Sequence, residues 1–157
     1  MKSCFMFGHR DSPEYILPDI ERTIEEHYEK YGVTGFYVGS RGAFDRLAAI
    51  ATKNVKQRHP DIQLYQLLAY HPAERPVILP HGFENSFYPP LENTPRQYAI
   101  VRANQYMVDA ANTVICYVDH IGNTRQLLCR ARQRQSKEHF PIDNIAENKK
   151  LNGAVSK

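Results

Sequence analysis

The chain has 157 residues, 42% of them hydrophobic and 24% charged, with a formal net charge of +3. That composition excludes a disordered or fibrous chain, and the length suits one ordinary domain with a full core. So small a net charge gives no argument for a nucleic-acid or membrane partner. Cys4, Cys116 and Cys129 form no CxxC pair and no disulfide framework, which argues against a zinc ribbon and favours a reducing cytoplasm. No apolar run approaches the ~20 residues of a membrane span. The opening "MKSCFMFGHRD" turns charged too soon for a signal peptide.

Predicted elements alternate along the chain. "SCFMF" (3–7) is a short apolar run ending at Gly8 and reads as a buried strand. A helix follows over "PDIERTIEEHYEKYG", with Ile20, Ile24 and Tyr28 at helical spacing, Pro18 at its start and Gly32 at its end. "GFYVG" (35–39) is a second strand. From Ala43 to about Arg58, Phe44, Leu47, Ala48, Ala51 and Val55 share one helical face, and Pro60 stops the helix. "IQLYQLLAY" (62–70) is a third strand. Residues 71–95 hold six of the ten prolines and no clear period. That predicts a long loop, whose Phe83, Phe87 and Tyr88 either pack on the sheet edge or form a flap over a ring-shaped ligand. Residues 96–112 are helical again, with Ile100, Tyr106 or Met107 and Ala110 or Ala111 available to the core. "TVICYV" (113–118) is the most strand-like run. Residues 123–135 form a fourth helix, and "HFPIDNI" (139–145) a last edge strand weakened by Pro141. The polar residues 146–157 read as a flexible tail after a single domain over 1–145.

This order predicts an α/β fold, Rossmann-like, in which helices cover both faces of a mostly parallel sheet. Ligands of such sheets bind beyond the carboxyl ends of the strands. Gly8-His9-Arg10-Asp11 follows the first strand. Gly39-Ser40-Arg41-Gly42 follows the second, with Asp45 one turn into the next helix. Asp119 to Thr124, including Gly122-Asn123-Thr124, follows the fourth and leads into a helix. Glycine turns that feed helix N-termini offer free N–H groups and the positive dipole end to an anion. Ser40 and Thr124 can add hydroxyls, and Arg10, Arg41 and Arg125 can add guanidinium forks. The same turns can instead be simple junctions in which Ser40 and Thr124 cap helices. His9, His71 and His120 each follow a strand, but their spacing matches no metal signature, so neither a metal nor a cofactor is expected. Arg130, Arg132, Arg134 and Lys137 read as a solvated helix face.

The segments "FMFGHRD", "FYVGSRGAFDRLA", "LAYHP", "YPPLENTPRQYAIVRANQYMVD" and "VICYVDHIGNT" together resemble the SLOG superfamily. That group joins the DNA-processing protein A family with the LOG nucleotide phosphoribohydrolases. The nearest likeness is to its small stand-alone bacterial branch of unknown function. The resemblance spans most of residues 3–135 and implies a Rossmann-like fold and a nucleotide-like ligand. It matches Gly8-His9-Arg10 to the first turn, Gly39 through Asp45 to the second, Arg102 with Asn104 to an Arg-Asn helix motif, and Gly122-Asn123-Thr124 to a Gly-Gly-Thr phosphate turn. Ala103 and Asn123 depart from the pattern. LOG enzymes follow their Gly-Thr with a catalytic glutamate, whereas here Arg125 and Gln126 follow Thr124, and a glutamine cannot act as that carboxylate.

The expected function is binding or sensing of a nucleotide derivative, with Arg10, Arg41 and Arg102 supplying charge. The alternative is a nucleoside-phosphate N-glycosidase in which Asp11 or Asp45 replaces the missing glutamate. A second alternative is a DNA-associated module, although nucleic acid is not the expected partner. Homo-oligomerisation is left open by the sequence.

Overall fold

The computed structural model describes residues 1–155. In chain order the elements are β1 (Lys2–Gly8), α1 (Leu17–Tyr31), β2 (Val33–Val38), α2 (Ala43–Lys56), β3 (Gln63–Leu67), β4 (Asn85–Phe87), α3 (Ala99–Ala110), β5 (Thr113–Tyr117), α4 (Asn123–Gln135), β6 (Ile142–Asn144) and α5 (Ile145–Val155). Short 3-10 turns, Glu14–Ile16 and Arg96–Tyr98, lead into α1 and α3.

The six strands form one all-parallel sheet in the order β4–β3–β2–β1–β5–β6. β1 lies between β2 and β5, with Phe5 beside both Tyr37 and Val114. Side chains of a strand alternate between faces, so a strand covered on both sides must be apolar throughout. Cys4 and Met6 enter one layer with Ile20 and Ile24 of α1, Phe44 and Leu47 of α2, and Ile145 of α5. Phe5 and Phe7 enter the other with Ala103 and Met107 of α3 and Leu127 and Leu128 of α4. Helices therefore cover both faces, as the alternation of elements predicts.

The strand order reverses at β1. From there the chain moves outward through β2, β3 and β4, then returns to place β5 on the other side of β1. The crevice beside this reversal is where such sheets take ligands.

Two expectations are corrected. The structureless loop 71–95 contains β4, which Glu84 and Leu68 tie to β3 through N–H bonds to the carbonyls of Leu64 and Phe87, both 2.8 Å. Three residues are too few to show a period. Phe87 packs edge-on to Tyr37 at 5.8 Å and lies 5.9 Å from Tyr106. The aromatic residues Phe83, Phe87 and Tyr88 thus pack against the two core layers, not as a flap. The flexible tail expected from residue 146 is helical through Val155, residues 156–157 lying outside the described residues. Ile145 and Ala146 are buried at its start, and Glu147 and Lys149 pair with Arg132 and Asp19. Two apolar residues before a polar run give no helical period to read. Among the described residues, no helix is long and apolar enough to cross a membrane.

Candidate functional site

A cavity of about 360 Å³ opens at the carboxyl edge of the sheet, bounded by the ends of β1, β2 and β3, by the first turn of α2, by α3 and by α4 from Asn123 to Gln133. That size lies in the usual range of small-ligand sites. Both α2 and α4 begin on a glycine, Gly42 and Gly122, and neither has a side-chain cap. Ser40 and Thr124 therefore do not cap these helices, and their hydroxyls make no hydrogen bond among the described residues. An uncapped first turn leaves backbone N–H groups free for an anion, apart from that of Ala43 in α2, which the Arg10 carbonyl takes.

The turns are locked together. Gly42 has φ +119°, and a Cβ there would fall 2.7 Å from the Cα of Arg10. The Ala43 N–H donates to the Arg10 carbonyl at 2.9 Å. Only glycine allows this approach, which delivers Arg10 and Arg41 to one cavity. Around Gly122 the reverse holds: a Cβ would meet nothing within 4 Å, so the space beside the α4 turn is open.

Of the residues singled out by sequence, Gly8, Arg10, Gly39, Ser40, Arg41, Asp45, Asn104, Asn123 and Thr124 line the cavity. Gly42, Gly122 and His9 do not line it. The glycines shape the turns, and His9 is buried behind them. Arg102 is exposed and does not line the cavity, so it does not supply charge there. Asp11 has a side chain 78% exposed and lies beside His120, not in the cavity. Sequence reading did not assign the apolar wall, formed by Phe5, Phe7, Leu67, Ile100 and Leu127, to the site. Gln126, which stands where the LOG glutamate is expected, also lines it.

Asp45 is the one carboxylate on the cavity wall among the described residues. Its Oδ2 accepts the Arg41 N–H at 2.8 Å. Burial pushes its carboxyl up from the ordinary 3.8 to about 6, against the pull of that hydrogen bond and of the Arg41 and Arg10 charges. A carboxyl poised near neutrality in a cavity can hold or release a proton as its surroundings change.

Behind the β1 and β5 turns, the His9 and His120 rings stack with centroids 3.5 Å apart. His9 Nε2 accepts the N–H of Asp119 at 3.0 Å and lies 3.4 Å from that of His120. An accepting Nε2 means a neutral ring protonated at Nδ1. Burial, and then the neighbouring His120, lower the His9 pKa in keeping with this. The ligand atoms of His9, Asp119 and His120 lie within 4.8 Å of one another, close enough for a metal. The Nε2 lone pair of His9, however, already serves the β5 turn. His71 does not join the pair; its Nδ1 accepts the Ala73 N–H at 3.0 Å. This cluster holds the two turns in register.

No protein-family model matches the chain, and no curated protein matches it.

Proposed function

We propose that the chain binds a nucleotide or nucleotide derivative in this cavity, in the reducing environment of the cytoplasm. The observation that carries the reading is the pair of glycine-started, uncapped helix N-termini, α2 and α4, opening onto one cavity that also receives Arg10 and Arg41. Phosphate oxygens suit the free N–H groups and guanidinium forks. The apolar wall of Phe7, Leu67 and Ile100 suits a base or sugar face. The resemblance to SLOG proteins points the same way. Free thiols at Cys4, Cys116 and Cys129 suit the compartment.

A second reading, N-glycosidase action, is favoured by Asp45 alone. A carboxyl held near 6 beside the ligand can protonate a departing base while water attacks the anomeric carbon. One experiment separates the two. The protein is mixed with a panel of nucleotides, its melting is followed, and the mixture is then chromatographed for free base. Ligand at 100 times its Kd should raise Tm by about 5–10 °C. Binding without free base supports the first reading. Free base formed by the protein and lost in Asp45→Asn supports the second. A panel that shifts nothing sinks both.

A further inference from the structure

Just past β3, Tyr70 gathers three guanidinium groups about its half-buried ring. Arg75 lies 4.0 Å from the ring centroid, Arg96 5.6 Å and Arg41 5.7 Å. Each contact is favourable alone, because the ring face is electron-rich. Three like charges around one ring also repel each other. Arg96 has a partner, Glu74 at 2.6 Å. Among the described residues, no carboxylate lies within ion-pair distance of Arg41 or Arg75.

The three arginines come from three separate segments: the turn after β2, the loop after β3 and the turn before α3. This is not the solvated stripe of a single helix. The cluster is also continuous with the cavity, since Arg41 belongs to both and Ala69, next to Tyr70, lines the cavity wall. On the reading above, Asn123 and Thr124 at the α4 turn face one anion, and a second concentration of positive charge lies toward Tyr70.

Resting on the nucleotide reading above, we infer that Tyr70, Arg41, Arg75 and Arg96 form a second phosphate subsite, and that the ligand is a nucleotide bearing at least two phosphate groups. One phosphate sits at the α4 turn and the other among the arginines. Guanidinium forks match phosphate oxygens in pairs, and a dianion there relieves the repulsion that the single carboxylate of Glu74 leaves. A monophosphate fills one seat only. The two phosphates can be joined as a pyrophosphate or carried separately on the ribose.

Titration calorimetry on the full chain tests this with adenosine and guanosine 5′-monophosphates, 5′-diphosphates and 3′,5′-bisphosphates, and with inorganic pyrophosphate. One or both doubly phosphorylated series should bind at least about tenfold tighter than the monophosphate, the gain of one added set of charge-assisted hydrogen bonds. Which series gains tells how the phosphates are arranged. The double variant Arg75→Gln/Arg96→Gln changes two exposed side chains and should fold. It should lose the advantage, with monophosphate affinity held within about threefold. Equal affinity of mono- and doubly phosphorylated ligands for the unaltered protein, or an advantage kept by the variant, overturns the subsite and leaves the nucleotide reading standing. If no nucleotide binds, that reading falls, and pyrophosphate decides: a Tm rise absent from the variant keeps the subsite, and no rise overturns it. Single-stranded oligonucleotides whose affinity grows with length and exceeds that of every nucleotide also overturn it.

Discussion

Asp45 sits where burial and hydrogen bonding oppose each other, and burial wins. Its carboxyl is raised from 3.8 to about 6. Below about pH 4 the carboxyl is protonated in both folded and unfolded chains and costs nothing. Between about pH 4 and 6 the unfolded chain releases its proton while the folded chain keeps it. The folded state then binds more protons, so stability falls as pH rises through this window. Above about 6 the full cost is present, roughly 1–3 kcal/mol for a partly buried group. Asp45→Asn removes the charge and keeps an oxygen to accept the Arg41 N–H. The variant should be more stable by that amount at pH 7.5 and equal to the unaltered chain at pH 4, measured by denaturant unfolding. A difference that does not vary with pH would show that Asp45 is not held protonated. At this scale the sequence was informative where position after a strand decides the outcome. Arg10, Arg41 and Asp45 all reach the cavity. It was misleading on α3, where Arg102 and Asn104 share a motif but lie about 200° apart around a helix. Asn104 faces the cavity, and Arg102 is exposed. Phe7 and Ile100 escaped notice because a residue facing a ligand cavity and one facing the core have the same apolar character.

Elements show a similar division. α1 and α2 were legible because Ile20 and Ile24, and Phe44 through Val55, repeat at helical spacing over several turns. β4 and α5 were not, being fixed by partners distant in sequence. A further long-range tie joins α1 to β5 and β6. His27 is fully buried, with Nδ1 2.9 Å from the Thr113 hydroxyl and its Nε2–H donating to Asp143 Oδ2 at 2.7 Å. A helical histidine gives no sign of this in sequence. The hydrogen bond from His27 is the main cause holding the Asp143 carboxyl below its ordinary range. Such a group adds stability above the unfolded carboxyl pKa, ~4, and that contribution is lost as pH falls through the lowered folded value. Asp143→Ala leaves the buried Nε2–H without a partner and should cost about 1–3 kcal/mol at pH 7. The deficit should shrink below about pH 4, where the unaltered chain also loses the interaction. Unfolding curves at pH 3 and pH 7 check this, and an equal deficit at both would assign the loss to packing instead.

Across the whole molecule, two apolar layers share one sheet, and the apolar wall of the cavity comes mainly from one of them, the layer of Phe5, Phe7, Leu67 and Leu127, with Met6 from the other. The alternation of strands and helices made the parallel sheet legible, but not the side of β1 on which β5 would lie. That choice depends on the long connection from β4, which the aperiodic residues 71–95 do not encode locally. Because β1 is buried on both faces and contributes to both layers, neither layer can come apart without exposing the other. Unfolding should therefore be a single transition. Ile24 is fully buried in the α1 and α2 layer, across the sheet from the cavity wall of Phe7 and Leu127. Ile24→Ala leaves a void and should cost about 2–5 kcal/mol, lowering Tm by roughly 5–15 °C. It should lower the same calorimetric transition that a nucleotide raises, while ligand affinity measured well below Tm stays nearly unchanged, since Ile24 does not line the cavity. Two resolved transitions, with only one responding to ligand, would show that the layers unfold independently and that β1 does not couple them.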